Sequence, residues 1–184
     1  MVAYRKLLLN ERNDYALHLK RLEGADRRSR FTGAVGDAGI DLRCGRLDWT
    51  RTIVVGAFVD GILRGAAELS ADVPLWRPGG AELAVSVERP FQGRGIGTEL
   101  TRRALNLARN RRLAPVTMVC LMDNSRMQRI ARTLRADVRL GCGEVRSAFE
   151  PGLPDQLSLL QEGIEDWTAL VSGLIDRFQP LHWA

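Results

Sequence analysis

The sequence changes hydrophobic period at one place, and that change limits the folds open to it. Ala81-Glu82-Leu83-Ala84-Val85-Ser86-Val87 is β-rich and reads as a strand. Past it, Ile96, Leu100, Ala104, Leu107 and Ala108 recur at helical spacing, which predicts a helix over about residues 98–112. Gln92-Gly93-Arg94-Gly95-Ile96-Gly97 stands between the two. Leu113-Ala114-Pro115 is expected to close the helix, and the near-continuous apolar run of residues 116–122 reads as a buried strand. Strand, glycine-rich turn, helix and strand make a βαβ-like unit, which needs a sheet with helices layered on it.

The segments on either side extend that sheet. Residues 52–59 and 62–69 are β-rich runs joined by Asp60-Gly61, a strong hairpin signal because both turn residues tolerate positive φ. With residues 81–87 they predict an antiparallel meander. Residues 4–9 suit a first strand and 144–150 a last one. Residues 11–22 place Tyr15, His18, Leu19 and Leu22 on one helical face, and 124–135 do the same with Met127, Ile130, Ala131 and Leu134. The polar stretch around Asp26 to Phe31 suits a short helix or a loop, and 33–50 carry no clear element. The architecture expected is α+β, with mixed α/β layers, over residues 1–150.

The tail, 151–184, is separate in character. Pro154-Asp155 reads as a helix start, and Leu157, Leu160, Ile164, Trp167, Val171, Leu174 and Phe178 follow at steps of three and four, up to about Gln179-Pro180. Such an amphipathic helix either packs on its own domain or forms the seam of a homodimer.

Composition excludes several functions. At 184 residues and 45% hydrophobic the chain can bury a core, and no apolar run approaches the ~18 residues of a membrane-spanning helix. The N-terminal apolar stretch is too short for a secretory signal, so a cytoplasmic protein without membrane contact is expected. Of 27 basic residues only Lys6 and Lys20 are lysines, and the net charge is +5. No zinc-finger spacing and no basic segment interleaved with aromatics supports nucleic acid. Arginine instead suits a small phosphate-bearing ligand. Cys44, Cys120 and Cys142 show no metal or disulfide spacing, and His18 and His182 are the only histidines. Neither a bound metal nor a histidine-based triad is expected.

The glycines let the backbone bend tightly and turn successive N–H groups inward at a helix N-terminus, an anion nest suited to a pyrophosphate. A P-loop is excluded, since no lysine lies beyond Lys20. A dinucleotide-binding turn fails on spacing, since Gly97 comes one place early and Glu88-Arg89-Pro90-Phe91-Gln92 separates strand from glycines. Gln92-x-x-Gly95-x-Gly97 satisfies the acyl-CoA signature Q/R-x-x-G-x-G/A, and here the sequence resembles the GNAT acetyltransferases. Residues 81–87 look like that family's fourth strand, and Asp123-Asn124-Ser125-Arg126-Met127-Gln128-Arg129-Ile130-Ala131-Arg132 like its second CoA motif. The resemblance spans about residues 52–150.

The resemblance implies a mostly antiparallel sheet splayed between strands four and five, with acetyl-CoA in the gap and no metal. It implies pantetheine bonds from the backbone of Val85 and Val87, a pyrophosphate held by Gln92, Gly93, Arg94, Gly95, Ile96, Gly97 and Thr98, a contact from Asn124, and Arg132 within reach of the terminal phosphates. The reaction implied is direct acetyl transfer to a primary amine, a small molecule or a protein lysine. Strand alternation sets Glu82, Ala84 and Ser86 on the face away from Leu83, Val85 and Val87. Glu82 is the candidate general base, partly buried in the substrate cleft; Glu88 is a weaker rival, and the Val85 N–H is the oxyanion donor by analogy. The tyrosine that many members carry seven positions past the asparagine is Ala131 here. The thiolate then takes its proton from water or from another group such as Ser125 or Cys120, or needs no acid help because it is a good leaving group. Asp37, Asp41 and Asp48 are candidates for an acidic patch that draws the amine. The alternative is a non-catalytic acyl-CoA-binding module.

Overall fold

The computed structural model describes residues 1–141 and 143–177. Cys142, Phe178, the helix end at Gln179-Pro180 and His182 lie outside them, as do the side chains of Val171 and Leu174. The elements run β1 (Val2–Lys6), α1 (Arg12–Lys20), α2 (Gly24–Phe31), α3 (Asp37–Gly45), β2 (Thr52–Val59), β3 (Ile62–Ala71), β4 (Gly79–Val87), α4 (Ile96–Asn110), β5 (Leu113–Leu121), α5 (Ser125–Thr133), β6 (Asp137–Leu140), β7 (Glu144–Phe149) and α6 (Gln156–Arg177). The seven strands form one sheet in the order β1-β2-β3-β4-β5-β7-β6. Every pairing is antiparallel except β4 with β5, the pair joined by the α4 crossover.

Both faces of the sheet are covered, so β2 is buried along nearly its whole length. On one face Ile53, Val55, Ala67, Leu69 and Leu83 pack against Ile96, Leu100, Ala104 and Leu107 of α4. On the other, Val54, Phe58 and Ala66 meet Tyr15, Ala16 and Leu19 of α1 and Ile40 and Cys44 of α3. Strand alternation sends Ile53, Val55 and Ala57 to one face and Val54 and Phe58 to the other, and a register shift against β3 falls between Ala57 and Phe58. Asp60 and Gly61 sit at φ 51° and 74°, the doubly left-handed turn that the hairpin requires.

Several expectations shift. The first strand spans residues 2–6 rather than 4–9. The Leu7 N–H makes a last bond to the Val54 carbonyl at 2.8 Å while its side chain enters the α1 core, and a helical turn at residues 9–11 follows. Residues 113–115 begin β5 instead of closing α4; the helix stops at Asn110, capped at Arg111. Helix α3 lies inside the stretch left unassigned and buries only Ile40 and Cys44.

Helix α6 begins where the sequence indicates. Asp155 accepts from the Ser158 N–H at 2.7 Å while Ser158 Oγ accepts from the Asp155 N–H at 3.1 Å, a reciprocal cap. Its polar face meets the domain. Glu162 receives Lys6 at 2.9 Å, Arg111 at 2.8 Å and Asn110 at 2.8 Å; Asp166 receives Lys6 at 2.7 Å; Glu165 pairs with Arg103 at 3.1 Å. The apolar stripe therefore points away. Leu157, Leu160, Ile164 and Trp167 are each more than half exposed. Among the described residues no helix is long and apolar enough to cross a membrane.

Candidate active site

The parallel ladder between β4 and β5 holds Gly79 opposite Leu113, Ala81 opposite Val116 and Glu82 opposite Thr117, and goes no further. Beyond it, residues 83–87 and 118–121 line opposite sides of a cleft of about 950 Å³. That is the upper end of the ~300–1,000 Å³ usual for small-molecule sites, as a long ligand requires. The N-terminus of α4, the start of α5 and helix α2 complete its walls. Leu83, Val85 and Val87 turn their side chains into the α4 core, which leaves the β4 backbone edge to the cleft.

The phosphate end is built from the glycines. Gly93 and Gly95 adopt φ of 73° and 79°, and Gly95 stands at the N-cap of α4 with no side-chain cap bond. The first bond inside α4 runs from the Glu99 N–H to the Gly95 carbonyl at 3.0 Å, so the N–H groups of Ile96, Gly97 and Thr98 precede it. Aligned N–H groups at the positive end of a helix dipole hold an anion. Gly97 serves packing: a Cβ there would come within 3.1 Å of Ile130 Cδ1 on α5.

The neighbouring side chains brace this end. Gln92 Nε2 donates to the Val87 carbonyl at 2.8 Å, and Arg126 donates to Gln92 Oε1, so Gln92 ties β4 to α5. Asn124 caps α5, its Oδ1 accepting the Met127 N–H at 3.1 Å, and lines the cleft. Arg94 stacks on Phe91 and Arg132 is an exposed residue near Gln128; neither lines the cleft, whereas Arg126 and Arg129 do.

At the other end, Glu82 is the last β4 residue paired with β5, and it does not line this cleft. It is exposed rather than partly buried, and borders a smaller pocket of about 170 Å³ with Arg43, Glu68, Ser70 and Ala84. Glu68, on β3 opposite Ala84, is buried and saturated. It accepts from Tyr15 Oη at 2.5 Å, Arg30 at 2.8 Å and Ser70 at 3.2 Å, and pairs with Arg43. Burial alone would raise its pKa, but the two guanidiniums and the hydroxyls outweigh that and hold it below the usual carboxylate range. Asp37 and Asp41 are taken up by Arg27 and Lys20, and Asp48 by Thr50, so none supplies an acidic patch in the cleft.

A second buried cluster was not foreseen. His18 Nε2 lies 2.9 Å from Ser86 Oγ and its Nδ1 lies 3.1 Å from Glu88. Glu88 also receives Arg21 at 2.8 Å and Arg64 at 2.9 Å. Despite the cost of its burial, these partners pull the Glu88 pKa down to about 2, so it is engaged as an anion and is no rival to Glu82 as a free base. Burial drives the His18 pKa below its ordinary value even though Glu88 opposes the shift. The sequence does not predict a histidine-based triad, yet His18 stands within hydrogen-bond reach of both Ser86 and Glu88. The partners lie 68 and 70 residues apart in sequence, beyond any local pattern. Among the described residues no cluster of three or more His, Cys, Asp or Glu side chains is placed to hold a metal.

The family profile described as acetyltransferase (GNAT) matches residues 20–134. Among solved structures, the GNAT domain of S. lividans PAT superposes with a TM-score of 0.68 at 18% identity, covering 79% of this chain and 88% of that one. A GNAT-family acetyltransferase of Streptococcus pneumoniae gives 0.64 at 11%, covering 81% and 99%. The structure of yncA from Salmonella typhimurium with its cofactor acetyl-CoA gives 0.59 at 17%, covering 85% and 99%. No curated protein sequence matches the chain. At these identities the structural likeness speaks to fold.

Proposed function

The chain belongs to the acetyltransferase (GNAT) family, and on that premise we propose that it moves an acetyl group from acetyl-CoA directly to a primary amine. The observation that carries this reading is the cleft itself. Its phosphate end is a nest opened by Gly93 and Gly95, and at its other end β4 and β5 come together at the Glu82–Thr117 pair, with the Glu82 side chain bordering the smaller neighbouring pocket. A long ligand with a pyrophosphate and a reactive tip fits that polarity. Acetyl-CoA enters as a substrate. The N–H groups of residues 93–98 hold its pyrophosphate, the β4 edge at Val85 and Val87 bonds its amides, and Asn124, with Oδ1 already used, donates from Nδ2. The exposed Arg126 and Arg129 answer its outer phosphates better than Arg132 does, because they line the cleft.

Glu82 takes the proton from the acceptor ammonium. Its exposure leaves it open to an entering amine, whereas Glu68 and Glu88 are spent on arginines. The Val85 N–H stabilises the thioester oxyanion. The acceptor is a small amine or a protein lysine side chain, either of which presents an aliphatic stem and a cationic tip to Glu82. Cys44 and Cys120 are buried free thiols, in keeping with a reducing cytoplasm.

We further propose that the outward stripe of α6 is a homodimer seam. Its spacing of three and four is that of coiled-coil core positions, and Glu162, Glu165 and Asp166 are all drawn to the opposite face by Lys6, Arg103 and Arg111. The flanking Gln161, Gly163 and Thr168 bring no charge to repel a second copy.

The test is a thiol-release assay with acetyl-CoA against a panel of small amines and lysine peptides. Release with one acceptor class supports the enzyme. Tight acetyl-CoA binding with no release for any acceptor supports the non-catalytic module instead.

A further inference from the structure

Ser86, His18 and Glu88 form a chain that opens on the cleft at one end and is anchored at the other. Ser86 lines the cleft; His18 is fully buried behind it; Glu88 is buried behind His18 and fixed by Arg21 and Arg64. The chemistry of the three groups fixes the direction of the hydrogen bonds. Glu88 is ionised and cannot donate, so His18 carries its proton on Nδ1 and gives it to Glu88 Oε1. Neutral His18 then has a lone pair on Nε2, and the Ser86 hydroxyl donates to it across 2.9 Å. The free lone pairs of Ser86 Oγ are left for the cleft. Removing Glu88 or protonating His18 would reverse or break this polarity.

This arrangement borders the cleft through Ser86. Direct transfer to an amine must move a proton from the attacking nitrogen to the departing sulfur, and Ala131 occupies the position where a tyrosine would be expected. Tyr15 is no substitute, because burial and Glu68 raise its pKa and its hydroxyl is committed to Glu68. Neither stand-in is well placed: burial pushes the Cys120 thiol up, and Ser125 has no basic partner among the hydrogen bonds of the described residues.

We propose that Ser86 carries the proton from the acceptor nitrogen to the leaving thiolate, with His18 and Glu88 as the positioning residues behind it. The step rests on the transferase reading above. Once Glu82 has produced the free amine, the amine attacks the thioester carbonyl and the new C–N bond leaves a positive nitrogen. That nitrogen gives a proton to Ser86 Oγ as Ser86 passes its own proton to His18 Nε2. The C–S bond breaks, the electron pair stays on sulfur, and Ser86 delivers a proton to the thiolate while recovering one from His18. The products are the amide and the free thiol of CoA, and the relay ends as it began. During the step imidazolium is flanked by Glu88, which stabilises it, and by Arg21 and Arg30, which oppose it.

Three measurements test this. Ser86→Ala is expected to lower kcat about 10-fold to 100-fold with little change in KM for acetyl-CoA, and Ser86→Thr to restore most of it, because only the hydroxyl matters. The kcat–pH profile of wild type should carry an acid limb from His18 below its ordinary pKa of about 6.5, and Ser86→Ala should lose that limb. Imidazole NMR of the protein without substrate reads the relay independently of activity. His18 should be neutral at pH 7 with its proton on Nδ1, and its Nε2 resonance should move in Ser86→Ala. Unchanged kcat and pH profile in Ser86→Ala, or an Nε2-protonated His18, overturns the relay while leaving the transferase intact. An inactive wild type against every acceptor overturns the transferase reading and the relay with it.

Discussion

Glu82 stands opposite Thr117 in the last pair of the parallel β4–β5 ladder, and the two strands part beyond it. The proposed base stands at this closing pair, with its carboxylate bordering the smaller pocket beside the cleft. Glu82→Gln keeps the shape and removes the base. It is expected to lower kcat roughly 100-fold while acetyl-CoA binding, read by calorimetry, stays within about twofold. Equal kcat in the variant eliminates Glu82 as the base.

Gly95 is left-handed at φ 79° and a Cβ there meets no neighbour, so strain is the only cost of adding one. Gly95→Ala is expected to cost about 1–2 kcal/mol locally and to tilt the N–H groups that face the pyrophosphate. Acetyl-CoA affinity should fall, with a small drop in Tm. Gly61→Ala, equally left-handed in the distant hairpin, should lower Tm without touching affinity. Similar affinities for the two variants would refute the nest.

Glu162 and Glu88 are both held near pKa 2, and each is paired with two cations or more. Depressed carboxylates bind their protons later in the folded state than in the unfolded one. Their contribution is complete above the unfolded value near 4.5 and is lost as pH falls from there toward 2. His18, depressed as well, begins the loss earlier, since below about 6.5 the unfolded chain takes a proton that the folded one refuses. Thermal unfolding followed from pH 7 to pH 3 should show Tm falling in two stages. Glu162→Gln should blunt the lower stage by removing one carboxylate, and cost about 2 kcal/mol at pH 7.

Ile164 is 56% exposed on the stripe that α6 turns outward. Ile164→Glu places a charge in the seam without disturbing Glu162, Glu165 or Asp166. Sedimentation should show a dimer in wild type and a monomer in the variant. A monomeric wild type at high micromolar concentration removes the seam.

Local signals carried much of the fold. Asp60-Gly61 and the glycines at 93 and 95 announce themselves because each needs a backbone angle that few residues tolerate. The short α3 was not legible, since its buried pair, Ile40 and Cys44, leaves no stripe to count. The tail shows a different limit. Its periodicity marked the helix correctly, yet the side that docks is the charged one, because cations on β1 and α4 wait for it. The glycine end of the site could be read as a run of neighbours. The Ser86–His18–Glu88 chain could not, because it exists only once α1 folds over β4.

The central claim is that the β4–β5 cleft delivers an acetyl group to an amine at Glu82. Its most direct test is mass spectrometry of an amine panel incubated with acetyl-CoA and either wild type or Glu82→Gln, alongside free-thiol release. The account expects one acceptor class to gain an acetyl group with matching thiol in wild type, and both to collapse in the variant. Equal acetylation by the two proteins, or thiol release without any acetylated amine, would contradict it.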